Sequence, residues 1–427
     1  MSGIILFSVM FLLLIVGMPI AMALGMSTFF VMTTVDGAPP VSLLARSIVT
    51  GADSFPLIAV PLFVLAGDLM QKGGLSRRII FFASSLVGHV RASLCYVNVL
   101  ASMFFAAISG SAPATVAAIG SNIIPAMKDM GYKKDFSAAL TASAGMIGVM
   151  IPPSIPFIIY GVTAEVSIGK LFIAGIIPGI LFGLAFMLVS RFLVRKQPVM
   201  ELELKPFTVK GVRDTFIQSF WALIVPFIIL GGIYGGIFTP TEAGAVAVVY
   251  AIFCGVFIYK EISIKSLPTI FARSTLTSAT ILVLVIFASA FGRLITYEQI
   301  PTTIASALVA VSDNPIIILL LINLLLLLIG MFMETISAII ILTPILLPVV
   351  ILLGVDPIVF GVILTVNLAI GFCTPPLGVN IFVASQVSNV SIEKISKALL
   401  PFLLVMLFLL MIVTFVPSIS LFLTTFV

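Results

Sequence analysis

The chain has 427 residues, 61% of them hydrophobic and 9% charged, with a mean hydropathy of +1.33. Soluble domains carry roughly a quarter charged residues, so this composition excludes a water-soluble globule. The net charge of +5 is spread over short connecting segments, which excludes a gathered basic surface for nucleic acid.

In chain order, the apolar run at about 3–33 lacks a basic leader and is too long for a signal-peptide core, so it predicts a membrane span. A span at about 55–71 follows, with Asp53 as a start cap. An arm helix at 74–90 carries Arg77, Arg78 and His89 and predicts a scaffold piece at the membrane interface. Then come a re-entrant hairpin at 92–127, a span at 134–163 interrupted by Pro152-Pro153, and a span at 168–194. A span at 215–236 leads into the second half. That half comprises spans at 240–260 and 281–296, an arm at 301–312, a hairpin at 315–350, a span at 354–387 interrupted by Pro375-Pro376, and a last span at 400–425. Each hairpin is long enough to enter and return, but hard to fit as two spans of ~20 residues.

The charges orient this arrangement. With the N-terminus in the cytoplasm, all but Arg46, Lys170 and Arg293 of the 21 Lys and Arg fall on the inner side, the positive-inside pattern. The first hairpin, flanked by Arg91 and Lys128, is predicted to enter from the inner face. No Lys or Arg lies between Leu294 and Glu393, so the second enters from the outer face.

The chain also repeats itself. A shift of 223 sets Pro125 on Pro348, Gly148 on Gly371, and Pro152-Pro153 on Pro375-Pro376; a shift of 225 sets Gly67 on Gly292, and one of 227 sets Ala45-Arg46-Ser47 on Ala272-Arg273-Ser274. The extra span at 215–236 inverts the second copy. The predicted fold is therefore an all-α polytopic membrane protein built as an inverted-topology repeat, with two re-entrant helical hairpins and two broken helices. The first repeat is 1–197, the linker and inverting span 198–236, and the second repeat 237–427.

Tandem prolines inside a bilayer free carbonyls that lipid cannot satisfy, so matching breaks in two halves mark a binding site. The first hairpin tip reads Ser109-Gly110-Ser111-Ala112-Pro113-Ala114-Thr115 and the second Met333-Glu334-Thr335-Ile336-Ser337. Each tip is predicted to meet the broken span of its own half, giving two oxygen-lined pockets near mid-membrane. Candidate oxygen ligands are Ser109, Ser111 and Thr115 with carbonyls from Gly148, including Met150, to Pro153. In the second half they are Glu334, Thr335, Ser337, Thr374 and Asn380 with carbonyls from Gly371 to Leu377. The alternative for each tip is a turn built of small packing residues, and for Glu334 a tip carboxylate that reaches water. Glu242, after Thr239-Pro240-Thr241, reads as helix-start chemistry. Arg293 reads as a snorkelling interfacial residue. Cys95, Cys254 and Cys373 read as packed thiols. One histidine and few membrane carboxylates supply a proton relay poorly, whereas sodium needs only such oxygens. No nucleotide-binding loop or zinc motif occurs, and no catalytic pair can be assembled, so no enzyme is expected.

Ser109–Thr115, Ile151-Pro152-Pro153-Ser154, Phe238-Thr239-Pro240-Thr241-Glu242-Ala243 and Thr374-Pro375-Pro376 resemble the large membrane subunit of tripartite ATP-independent periplasmic (TRAP) transporters, over essentially the whole length. The resemblance implies a sodium-driven importer of carboxylate solutes, such as C4-dicarboxylates or sialic acid, in the bacterial inner membrane. It implies a separate small membrane subunit of about four helices, a periplasmic solute-binding protein, two or more coupling sodium ions and an elevator motion. Carried over, the first sodium site uses Ser109, Thr115, Gly148, Met150 and Pro153; some members carry an acid where this chain has Thr115. The second uses Thr374, Leu377 and neighbouring backbone. The solute lies between the tips, near Gly110, Ser154, Pro376 and Asn380. A stand-alone divalent-anion/sodium symporter is the alternative.

Overall fold

The computed structural model describes residues 2–195, 207–303, 314–376 and 378–426. Among these there is no strand, and seven helices are long and apolar enough to cross a membrane: 55–72, 168–194, 209–234, 240–258, 264–297, 335–352 and 392–415. The helix at 335–352 is the returning arm of the second hairpin, so that arm is by itself long enough to cross.

Two groups of helices emerge. One is a scaffold: the N-terminal helices, Val41–Ala52, Ala59–Lys72, Val209–Tyr234, Pro240–Phe253 and Leu267–Tyr297 pack on one another. The other contains both hairpins, both broken spans, Ile168–Val194 and Ile392–Phe415. The hairpins are Ser93–Ser109 with Ala112–Asp129, and Pro315–Gly330 with Thr335–Leu352. The broken spans are Lys134–Gly145 with Ile155–Thr163, and Pro357–Gly371 with Val379–Ser388. Within this second group the repeats interlock. The half-helix Val379–Ser388 packs on Ala112–Asp129 and Lys134–Gly145, and the half-helix Ile155–Thr163 packs on Thr335–Leu352 and Pro357–Gly371.

Three expectations need correction. The run expected as one span at 3–33 is two helices, Ser2–Ile15 and Ile20–Thr34, that fold against each other. Gly17 sits at φ +88, its amide donates to Leu14 and that of Met18 to Leu13, which is a Schellman stop, and Pro19 follows. Gly3 lies against Ile300, Phe7 against Phe291 and Gly25 against Phe287, so the pair descends from the Ile300 end of Leu267–Tyr297 and returns towards it. Ser2 is thus on the outer side of the charge-based topology, not the cytoplasmic one. The Lys and Arg pattern could not register this, because residues 1–34 contain neither.

The second correction concerns 281–296, which belongs to one 31-residue helix, Leu267–Tyr297. Its first-repeat counterpart is divided into Val41–Ala52 and Ala59–Lys72 by a segment holding Pro56. No Pro or Gly falls between Thr269 and Phe291, so nothing interrupts the ladder there. The third is the last span, which runs over Ile392–Phe415 and stops before Pro417. The second arm lies outside the described residues from 304 to 312.

The first arm helix, Leu75–Val87, is pinned to the scaffold rather than lying free. Arg78 forms an ion pair with Glu261 at 2.6 Å and covers the Tyr259 ring at 3.7 Å. Ser219 donates to the Arg78 carbonyl at 2.8 Å and Thr215 to Ser85 at 2.7 Å, so Leu75–Val87 runs antiparallel along the start of Val209–Tyr234. On the same scaffold Ser274 donates to Asp68 at 2.6 Å, joining the two repeats. Thr239 and Glu242 form the reciprocal capping box that the sequence suggested.

Candidate functional site

The first hairpin turns where Gly110 takes φ +61, and Ser111 stands at the N-cap position of Ala112–Asp129 without a capping bond from its side chain. The tip meets the break of its own half. Ile155 donates its amide to the Gly110 carbonyl at 3.2 Å. A Cβ on Gly148 would lie 2.6 Å from both the Ser111 carbonyl and Thr115 Oγ1, and one on Gly110 would lie 2.6 Å from the Pro153 carbonyl. Ser109 Oγ is 3.0 Å from Thr115 Oγ1, which donates to the Ser111 carbonyl at 2.8 Å. Ser109, Ser111, Thr115, Gly148 and Pro153 therefore gather at one junction, with Ser109 and Thr115 buried. Met150 does not share it: its carbonyl faces Gly175 of the following span.

The second junction repeats the close approach with glycine on both sides. A Cβ on Gly371 would collide with the Gly330 backbone, its Cα only 2.6 Å away. The chain here holds Pro375-Pro376 in the cis form, as Pro152-Pro153 is in the first half. The two junctions differ in access: Pro152, Pro153 and Ser154 are buried, while Pro375, Pro376 and Glu334 are exposed. Glu334 accepts from the amides of Ile336 at 3.0 Å and Ser337 at 3.2 Å, capping Thr335–Leu352. Thr335 is buried, and among the described residues its hydroxyl has no partner. Thr374 donates to the Ile370 carbonyl at 2.9 Å. Leu377 lies outside the described residues.

Of the expected solute neighbours, Gly110 is at the first tip and Pro376 is exposed at the second break. Ser154 and Asn380 turn elsewhere. Ser154 spans its own break, donating to the Val149 carbonyl at 2.6 Å and accepting from the Phe157 amide at 3.3 Å. Asn380 is fully buried and donates to the Ala142 carbonyl of the other repeat at 3.1 Å.

The sequence reading passed over a set of buried amides. Asn98 of the first hairpin donates to Thr141 at 2.7 Å; Asn367 donates to Asn323 of the second hairpin at 2.7 Å, and Asn323 donates to Thr414 at 3.1 Å. The first two bonds tie each hairpin to its own broken span, and the third ties the second hairpin to Ile392–Phe415. Asn98 and Asn323 are related by the 225 shift that aligns Gly67 with Gly292, a signal the sequence contains. A cavity of about 760 Å³ lies between Phe55, Tyr234 and Thr239 of the scaffold and Glu165, Ser167 and Lys170 of the other group. None of the candidate ion or solute residues among the described ones lines it.

The profile of the family described as "Tripartite ATP-independent periplasmic transporter, DctM component" matches residues 7–419. The chain is 50% identical over 418 residues to the isethionate TRAP transporter permease protein DctMQ of Oleidesulfovibrio alaskensis, covering 98% of this chain and 66% of that protein. It is 39% identical over 440 residues to the C4-dicarboxylate TRAP transporter large permease protein DctM of Rhodobacter capsulatus, covering 99% of this chain and 98% of that one. The crystal structure of the Alcanivorax borkumensis YdaH transporter has the same fold, with a TM-score of 0.66 at 17% identity over 95% of this chain and 96% of that one.

Proposed function

Because the chain belongs to the DctM component family of the tripartite ATP-independent periplasmic transporters, a family of multi-pass bacterial inner-membrane permeases, we propose that it is the large membrane subunit of a sodium-driven importer of an organic anion. The solute is handed over by a periplasmic binding protein, and a separate small membrane subunit completes the assembly. A relative named DctMQ, of which this chain spans 66%, supports a small subunit as a partner. Relatives named for C4-dicarboxylate and for isethionate, a sulfonate, support a small organic anion, carboxylate or sulfonate.

The observation that carries the reading is the convergence of each hairpin tip on the break of its own repeat. Ser109 Oγ, Thr115 Oγ1 and the carbonyls of Ser111 and Pro153 supply neutral oxygens, which suit a hard monovalent cation and require no proton exchange. A sodium ion entering down 100 mV supplies about 2.3 kcal/mol. Bound at the first junction, it adds positive charge beside the tip, where the N-terminus of Ala112–Asp129 already favours an anion.

Two contact registers support an elevator. A Cβ on Gly67 would lie 3.5 Å from the carbonyl of Ser109 at the first tip, whereas one on Gly292 would lie 3.5 Å from Pro344, midway along the second hairpin's returning arm. The glycines are repeat-related, yet the hairpin touches them at positions twelve residues out of register, at most roughly 18 Å along a helix. The counterpart of Pro344 is Ser121 and that of Ser109 is Phe332, and both are exposed. Exchanging the roles of the repeats brings Ser121 to Gly67 and Phe332 to Gly292, which is a slide of the hairpin group along the scaffold.

Uptake into proteoliposomes holding the chain with its small subunit tests the function. Accumulation should require both the binding protein and an inward sodium gradient. Uptake driven by ATP, or unchanged when potassium replaces sodium, would remove the proposal.

A further inference from the structure

The first break begins where the helix Lys134–Gly145 tightens into the 3₁₀ turn Met146–Val149. The Met146 amide, which a regular helix would give to the Ala142 carbonyl, turns instead to Ser143 and Ala144. Ala142 is left with a freed carbonyl, buried where no water reaches it. A buried orphan carbonyl is costly unless something else donates to it.

The donors come from the other repeat. Asn380 Nδ2 reaches the Ala142 oxygen at 3.1 Å and the Cys373 thiol reaches it at 3.4 Å. Asn380 Nδ2 also lies 3.7 Å from Cys373 Sγ, and its backbone amide bonds the Phe372 carbonyl at 3.0 Å across the second break. All three residues are completely buried. Among the described residues Asn380 Oδ1 has no partner, so the side chain's bonds here are made through its donor. The arrangement is not repeated in the other direction: at the shift of 223, Phe157 stands where Asn380 does and Met150 where Cys373 does.

We propose that Asn380, assisted by Cys373, is a positioning residue: by capping the Ala142 carbonyl it sets the geometry of the first break from the second repeat, so that the two broken spans move as one piece. Gly148 and the Pro153 carbonyl of the first junction follow Ala142 by six and eleven residues, and their placement depends on where the helix stops. The consequence for ion binding rests on the sodium reading given above; the capping itself does not.

Hydrogen–deuterium exchange on the full purified chain tests it, following amides 143–151 against the arm Leu75–Val87. Asn380→Leu keeps the branched shape and removes the donor together with the orphan acceptor. An ordinary hydrogen bond shifts a local opening equilibrium by roughly two- to tenfold, so exchange at 143–151 should accelerate by that much while the arm is unchanged. Cys373→Ala should give a smaller acceleration and Cys373→Ser, which keeps a donor, near wild-type exchange; these two decide the matter if Asn380→Leu does not fold. Unchanged exchange at 143–151, or equal acceleration in the arm, overturns the assignment. In transport, the sodium concentration for half-maximal uptake should rise several-fold with little change in maximal rate. Faster exchange at 143–151 without that rise would uphold the cap and remove the first sodium site instead.

Discussion

The amide of Ile155 donates to the carbonyl of Gly110 at 3.2 Å, binding the far side of the first break to the hairpin tip. One residue away, Ser109 and Thr115 face each other with hydroxyl oxygens 3.0 Å apart. Ser109→Ala and Thr115→Val each remove one of these oxygens while leaving the backbone junction in place. Each should raise the sodium concentration for half-maximal uptake by roughly tenfold or less, the worth of one hydrogen-bonding group. Sodium activation curves measured at fixed solute would check this; superimposable curves for both variants would place the ion elsewhere.

Thr374→Ala should behave more mildly. Its hydroxyl is bonded to the Ile370 carbonyl at 2.9 Å, and the second break is exposed at Pro375 and Pro376. The expected change is about threefold or less in sodium half-saturation, with melting temperature unaltered.

The glycine contacts make a sharper distinction. At Gly148 an added methyl would meet a carbonyl and a hydroxyl at 2.6 Å, and the hydroxyl can rotate away. At Gly371 it would meet only the backbone of Gly330, which cannot. Gly371→Ala should therefore destabilise by about 1–3 kcal/mol, as overpacking does, and Gly148→Ala by less. Thermal unfolding of the two variants, compared in one detergent, measures the difference.

Much of this was legible in the sequence, for reasons that can be traced to particular residues. Pro152-Pro153 and Pro375-Pro376 announce the breaks because proline removes a ladder donor wherever it stands. The hairpins announce themselves through Ser109–Thr115 and Glu334–Ser337, and the Thr239–Glu242 capping box through its spacing. Gly17 carries an equally local signal, a glycine stop followed by Pro19, but it lies within an apolar run long enough to pass for one span. Glu334 and Asn380 illustrate a different limit. A polar residue in an apolar stretch shows that a partner exists, yet Glu334 finds its own helix start and Asn380 finds Ala142, 238 positions away. Pattern along the chain cannot choose between such partners.

The scaffold clamp offers a test of packing apart from transport. Gly74 holds φ +75, and a methyl there would overlap the Glu261 carboxylate that pairs with Arg78. Glu261→Ala removes an ion pair that is partly exposed and should lower stability by about 1 kcal/mol or less. Gly74→Ala should lower it by more, through both the left-handed backbone and the collision. Combining the two should be less harmful than the sum, because the collision disappears with the carboxylate. A double-mutant cycle by thermal unfolding reports the coupling.

The exchange of contacts between the repeats is best tested by disulfide trapping in membranes, since Cys95, Cys254 and Cys373 are buried. The reference pairs Gly67→Cys with Ser109→Cys, and Gly292→Cys with Pro344→Cys, should link in the register seen here. Gly67→Cys with Ser121→Cys, and Gly292→Cys with Phe332→Cys, should also link, more slowly and at rates that respond to sodium. If both reference pairs link while neither exchanged pair ever does, the hairpin group does not slide along the scaffold.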